Sequence, residues 1–203
     1  MEIRKQALDI LSQAYLGRGE PLPVGASEAA IAALEERMGL TLPPEMRDWL
    51  ATCNGARIGP GGMLAIVGIG DPAGLADLER MHALVYEWVD TNWLLAGSDG
   101  SGNYYVIDTT SRIGNTHPVY FIDHDDGYDV AAYIVASGFW QFLRFLLADE
   151  CVIADPEASY WPFDRDRVIA EDPDILLYDG EVSLPWVANT LSEVAAHYGK
   201  PTS

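Results

Sequence analysis

Cysteine is nearly absent from this sequence. Cys53 and Cys151 lie far apart with no C-x-x-C pair, which leaves neither a disulfide framework nor a zinc knuckle and fits a reducing compartment. Cations are scarce as well: 12 Lys and Arg stand against 31 Asp and Glu, for a formal net charge of -19. Such a chain repels bare nucleic acid and anionic lipid at most orientations, so neither is expected as a partner, and a cationic protein is. No stretch of about eighteen apolar residues is present to cross a membrane. Residues 1–7 are polar and periodic and lack the apolar core of a secretory signal, so the expected location is cytoplasmic. There is no G-x-S-x-G elbow, and Cys53 falls on the apolar face of a predicted helix, where a thiolate is disfavoured. The many carboxylates show no spacing that singles out an acid and base pair for glycoside hydrolysis. The expectation is a protein without catalysis and without a cofactor.

What is present is enough for an ordinary core, since 49% of the residues are hydrophobic. Ile3, Ala7, Leu11, Ala14 and Tyr15 repeat at helical spacing until Gly17, and Pro21 and Pro23 then enforce an extended connection. Ser27 is placed to cap a second helix over 28–38, with Ile31, Leu34 and Met38 on one face and Gly39 ending it in the left-handed conformation. Pro44 starts a third helix over 44–53, on which Met46, Trp49, Leu50 and Cys53 fall at i, i+3, i+4 and i+7.

From residue 58 the pattern changes to short apolar runs punctuated by Gly and Asp, the signature of strands and tight turns. Strands are predicted at 63–67, 93–96, 104–108, 119–123 and 130–135, with a helical stretch over 75–88 between the first and second. Asp99, Gly100, Ser101 and Gly102 form one hairpin turn, and His124, Asp125, Asp126 and Gly127 form another. Ser137 is placed to cap a closing helix over 138–147 whose apolar face carries Phe139, Phe142, Leu143 and Leu146. Between Asp149 and Glu181 eleven Asp or Glu meet only two Arg, which reads as an appendage. It leads to a last amphipathic helix through Val187, Leu191, Val194, Ala195 and Tyr198. The fold class is therefore α+β, an antiparallel meander packed against helices. The expected division is a helix and linker at 1–26, a domain at 27–148 and an acidic extension at 149–203.

The order of these signals resembles the SUKH superfamily: Leu42-Pro43-Pro44 before a helix that ends in Cys53-Asn54-Gly55, a meander carrying residues 97–102, then Phe139-Trp140-Gln141-Phe142-Leu143. The resemblance covers roughly residues 27 to 148. That superfamily includes fungal Smi/Knr cell-wall assembly regulators and many bacterial immunity proteins that bind and neutralise toxins. It implies an antiparallel sheet whose surface and loops meet a partner protein, and it carries over no catalytic centre. The implied function is an immunity-type protein that neutralises a cognate, basic toxin domain, with a regulatory scaffold of the cell-wall kind as the alternative and an enzyme of unknown activity third.

Three motifs invite other chemistry. Gly68, Gly70 and Ala73 match the dinucleotide pattern G-x-G-x-x-G/A, yet Asp71 would set a carboxylate against a pyrophosphate, Pro72 removes an amide donor, and hairpins follow in place of βαβ units. Asp123, Asp125, Asp126 and Asp129 surround Gly127, but the loop is one residue short of a D-x-D-x-D-G calcium loop and has no distal Glu. His117 and His124 have no standard metal spacing. No metal site is expected. The aromatic residues Tyr86, Trp88, Trp93, Tyr104, Tyr105, Tyr160 and Trp161 exceed what one core readily absorbs, and aromatic anchors mixed with carboxylates suit an interface to a basic protein. The residues expected to bind a partner are Asp99, Asp123, Asp125, Asp126, Asp129, Trp93 and Tyr104.

Overall fold

The computed structural model describes residues 2–59, 62–70, 76–151 and 165–187. Its centre is a six-stranded sheet in sequence order, antiparallel throughout: β1 (Ala56–Ile58), β2 (Leu64–Ile66), β3 (Trp93–Ser98), β4 (Tyr104–Asp108), β5 (Val119–Ile122) and β6 (Tyr133–Ala136). Every residue of β2, β3 and β6 is buried, so these strands are covered on both faces, and apart from Ser98 they hold only apolar and aromatic residues. The predicted meander is correct, and β1 is a strand that the sequence pattern does not announce.

Helices α1 (Glu2–Arg18), α2 (Glu28–Met38) and α3 (Pro44–Thr52) precede the sheet, and α6 (Phe139–Cys151) follows it. The predicted bounds of α2 match, with the Ser27 hydroxyl accepting from the Ala30 amide at 3.2 Å and Gly39 left-handed at φ 67°. Helix α1 packs chiefly on α6 and buries Ala7, Leu11 and Tyr15. Trp49 of α3 meets Phe139 and Trp140 of α6 at ring separations of 6.2 and 6.1 Å, and its indole N–H donates to the Val67 carbonyl at 2.7 Å, tying helix layer to sheet.

Consecutive residues of β4 point to opposite faces and show the layering. Tyr105 meets Phe142 of α6 at 4.9 Å, while Tyr104 meets Trp88 on the other side at 5.4 Å. Trp88 belongs to α5 (Glu87–Thr91), which with α4 (Leu78–Leu84) crosses from β2 to β3 and packs on β3. The stretch of helical periodicity over 75–88 is two helices, α4 running to Leu84 and α5 starting at Glu87; Leu75 lies outside the described residues. Asn92, left-handed at φ 59°, ends α5 and turns the chain into β3.

Two further corrections concern the closing helix. The Ser137 hydroxyl does not cap α6: both its amide and its hydroxyl donate to the Asp172 carboxylate, at 2.8 and 2.5 Å. The first amide of α6, that of Phe139, is received by Glu45 of α3 at 2.8 Å, a cap supplied from 94 residues away in sequence. The segment after α6 also does more than hang from the domain. Helix α7 (Arg165–Glu171), a 3-10 turn (Pro173–Leu177) and the chain to Val187 bury Val168, Ile175 and Asp172 against it. The predicted last helix falls almost wholly on residues outside those described.

Candidate protein-interaction site

In a meander, alternate connections lie at the same end of the sheet, so the β3–β4 and β5–β6 turns are neighbours. Asp99 uses its carboxylate to build the first turn, accepting from the Ser101 and Asn103 amides at 2.8 and 3.1 Å and from the Asn103 side chain at 2.7 Å. Asp123 builds the second, accepting from the Asp125 amide at 3.0 Å. The two are clamped together by Asn103, whose side-chain oxygen lies 3.1 Å from the His124 amide and 2.7 Å from His124 Nδ1. Gly102, at φ 108°, is needed here, because a Cβ would sit 3.3 Å from the His124 ring. Both turns lie near the buried Tyr133, whose phenol is pushed well above its usual pKa by burial, then by Tyr105, Asp123 and Asp99. Asp125, Asp126 and Asp129 are exposed, whereas Asp99 and Asp123 are half-buried.

The second turn runs on against α5. The Trp88 indole N–H donates to the Tyr128 carbonyl at 2.9 Å, and the Tyr104 ring lies between Trp88 and Tyr128, 5.4 and 5.9 Å away. This stack brings Asp129 towards Tyr86, a side chain 70% exposed. The Tyr86 phenol is raised in pKa by Glu87 first, and by Asp129 and Asp90 as well. Val89, on the same turn of α5, and Val130, next to Asp129, are also exposed. The surface is therefore an aromatic and two valines set among carboxylates.

Of the residues predicted to bind a partner, the five aspartates come together at this end. The aromatic anchors do not: Trp93 is 7% exposed and packs edge-on to Tyr120 at 5.9 Å, so it is a core residue, and Tyr104 is half-buried inside the stack. Tyr86 is the exposed aromatic ring at this end. Periodicity does not reveal the break between α4 and α5, since Leu78, Met81, Val85 and Trp88 continue one apolar stripe across it, with Tyr86 off that stripe.

The discounted motifs have structural roles. A Cβ on Gly68 would lie 3.0 Å from the Gly55 Cα, so this glycine permits two chain segments to touch, with the Asn54 amide bridging both Ile69 backbone groups. The Gly70 amide is already taken by the Asp77 carboxylate at 2.6 Å, and residues 71–73 lie outside the described chain. Cys53 is buried, and burial pushes its thiol up to about 12. His117 is buried with Nδ1 3.0 Å from the Ser111 carbonyl. Among the described residues no three His, Cys, Asp or Glu side chains converge to hold a metal ion, and no helix is long and apolar enough to cross a membrane.

The helix pair joined through Leu42-Pro43, followed by an antiparallel meander and a closing helix, defines an α+β domain of the SUKH type. The model of the SMI1 / KNR4 family (SUKH-1) matches residues 25–144, and the chain belongs to that family. No curated protein matches the chain.

Proposed function

We propose that this chain is a protein-binding module of the immunity type, which neutralises a cognate toxin domain by covering a basic surface on it. The observation that carries this reading is the meeting of two aspartate-rich turns with the exposed Tyr86 at one end of the sheet. Long-range attraction to such an end raises the encounter rate with a cationic protein, and an exposed aromatic ring among carboxylates supplies area that slows departure. Family membership supports binding over catalysis. The reading includes no turnover and no cofactor, so calorimetric titration with nicotinamide dinucleotide or calcium is expected to give no micromolar binding; binding of either would reinstate the loop at 68–73 or at 123–129.

The test is to find whether a gene for a secreted multidomain toxin lies beside this one, and to mix the purified toxin domain with this chain. A stoichiometric complex that abolishes toxicity is the expected result. A chain that leaves the toxin active, but co-purifies with cell-wall assembly proteins, would favour the regulatory scaffold instead.

A further inference from the structure

At the edge of the sheet opposite β6, the groups that β1 would offer to an added strand are already taken. The Arg57 amide donates to the Tyr15 hydroxyl at 3.0 Å, and the Arg57 carbonyl accepts from both terminal nitrogens of Arg18 at 3.0 Å. These bonds block backbone pairing with a further chain, and what stays open beside β1 is a cavity of about 530 Å³. Its walls include Tyr15, Arg18, Glu20, Pro23, Arg57 and Gly62. A volume of that order is typical of small-molecule sites.

Charge narrows the occupant. In a chain with 12 Lys and Arg against 31 Asp and Glu, two arginines in one cavity run against the composition. The Arg18 guanidinium is held in place, 4.2 Å from the centre of the Tyr15 ring and bonded to the Arg57 carbonyl. That carbonyl takes one N–H of each terminal nitrogen, and Nε lies 3.4 Å from Glu20, so two of the five N–H donors have no partner among the described residues. A planar donor group fixed in advance suits a carboxylate. The Glu20 carboxylate in the same wall repels a dianion, such as a phosphate monoester, more than a monoanion.

The surroundings supply the apolar component. Val24, 87% exposed, and Leu16, 79% exposed, are the two most exposed large apolar side chains among the described residues. Each directly follows a cavity residue in the chain, Pro23 and Tyr15 respectively. The Asn54 amide donates to the Val24 carbonyl at 3.4 Å, and Asn54 itself lines the cavity, so Val24 is kept beside it.

We propose that this cavity binds a small-molecule carboxylate with a short apolar arm. Its carboxylate meets Arg18, with Arg57 adding positive potential, and its arm lies against Val24 or Leu16. The cavity shares no residue with the aspartate-rich end of the meander, and the proposal stands or falls without the toxin-binding reading.

The test titrates the full chain with N-acetyl-leucine and follows the backbone amides by nuclear magnetic resonance. Saturable shifts at millimolar concentration or below are expected at Gly55, Arg57 and Gly62. The methyl ester of the probe, which lacks the negative charge, and acetate, which lacks the arm, should each bind roughly tenfold more weakly or worse. Arg18→Gln should weaken binding by roughly tenfold or more, whereas Glu20→Gln, which removes a competing carboxylate from an exposed position, should tighten it about threefold. Opposite effects at two neighbouring positions are not what a loss of local structure produces. Should Arg18→Gln disturb the edge of the sheet, the ester and Glu20→Gln decide. No saturable shift at these amides, equal binding of the ester or of acetate, or a Glu20→Gln variant that binds no better would overturn the proposal.

Discussion

Two carboxylates at the start of α6 do work that their sequence context does not disclose. Glu45 accepts the first amide of the helix, and burial raises its pKa, with Asp48 and Asp172 adding to the rise against the lowering effect of the Phe139 amide. Asp172 is raised by burial too, despite the Ser137 bonds that oppose it. A raised carboxylate pKa means that the folded chain holds the proton more tightly than the unfolded one, so these two groups favour folding at acid pH. Their contribution is lost as pH climbs from the ordinary carboxylate range near about 4 through the raised values. Asp108 has the opposite sign: burial alone would raise it, but the hydrogen bonds from Ser111 and Thr110 outweigh burial and hold it low, so its contribution is lost as pH falls. Glu45→Gln keeps an acceptor for Phe139 without the charge. Urea denaturation at pH 5 and pH 7 should therefore show a smaller loss of stability with rising pH in this variant than in the natural chain; an equal or larger loss would contradict the assignment.

Trp93 and Tyr86 make a contrasting pair of aromatic residues. Both stand near acidic residues in sequence, and neither neighbour pattern tells which ring is buried. Trp93→Ala removes a ring that is 7% exposed and should cost about 3–5 kcal/mol in denaturant unfolding. Tyr86→Ala, in a side chain 70% exposed, should leave the unfolding midpoint nearly unchanged and act on binding alone. A stability loss from Tyr86→Ala as large as that from Trp93→Ala would mean that the surface is wrongly drawn.

At the scale of elements, the most legible signals are those with local causes. Ser27 and Gly39 bracket α2 because a hydroxyl cap and a left-handed glycine act within one turn of chain. The Asp99 and Asp123 turns are equally local, since each carboxylate closes its own loop. The α4–α5 break, the Glu45 cap and the docking of residues 165–187 depend on groups far off in sequence. Among its described residues the acidic segment buries only Val168, Ile175 and Pro185 of its apolar side chains, too few to announce a packed element by periodicity. Ser137 shows the limit well: its position before a helix suggests a cap, and a carboxylate 35 residues away takes the hydroxyl instead. That the two aspartate turns meet was legible because a meander puts alternate hairpins at one end of the sheet; that Trp93 is buried was not, because ring burial is decided by layers that sequence alone does not place.

Glycines at turns offer a test at this scale. Gly39 and Gly100 both have positive φ, at 67° and 78°, but a Cβ on Gly39 meets nothing within 4 Å, while one on Gly100 would lie 2.6 Å from the Met63 carbonyl oxygen. Gly39→Ala should cost about 1 kcal/mol, the conformational penalty alone. Gly100→Ala must also push the β3–β4 turn off Met63, just before β2, and should cost at least twice as much by urea unfolding. Equal costs would show that the turn yields without strain.

For the whole molecule, a formal net charge of -19 makes any encounter with a cationic partner favourable from many directions, and local placement decides which face arrives first. The cluster of Asp99, Asp123, Asp125, Asp126 and Asp129 concentrates that field at the end of the sheet that carries Tyr86, so the proposed reading has steering and burial act on one face. Exposed charges are screened over about 8 Å at physiological salt, which makes association depend steeply on ionic strength while apolar contacts govern dissociation.

The most direct measurement is surface plasmon resonance of the purified toxin domain on the natural chain, on the Asp123→Asn, Asp125→Asn, Asp126→Asn triple variant, and on Tyr86→Ala, across a salt series. The triple variant should associate roughly tenfold more slowly or worse and lose most of its salt dependence, with its fold intact. Tyr86→Ala should associate normally and dissociate about tenfold faster. An association rate unchanged in the triple variant and indifferent to salt would place the interface elsewhere on the molecule.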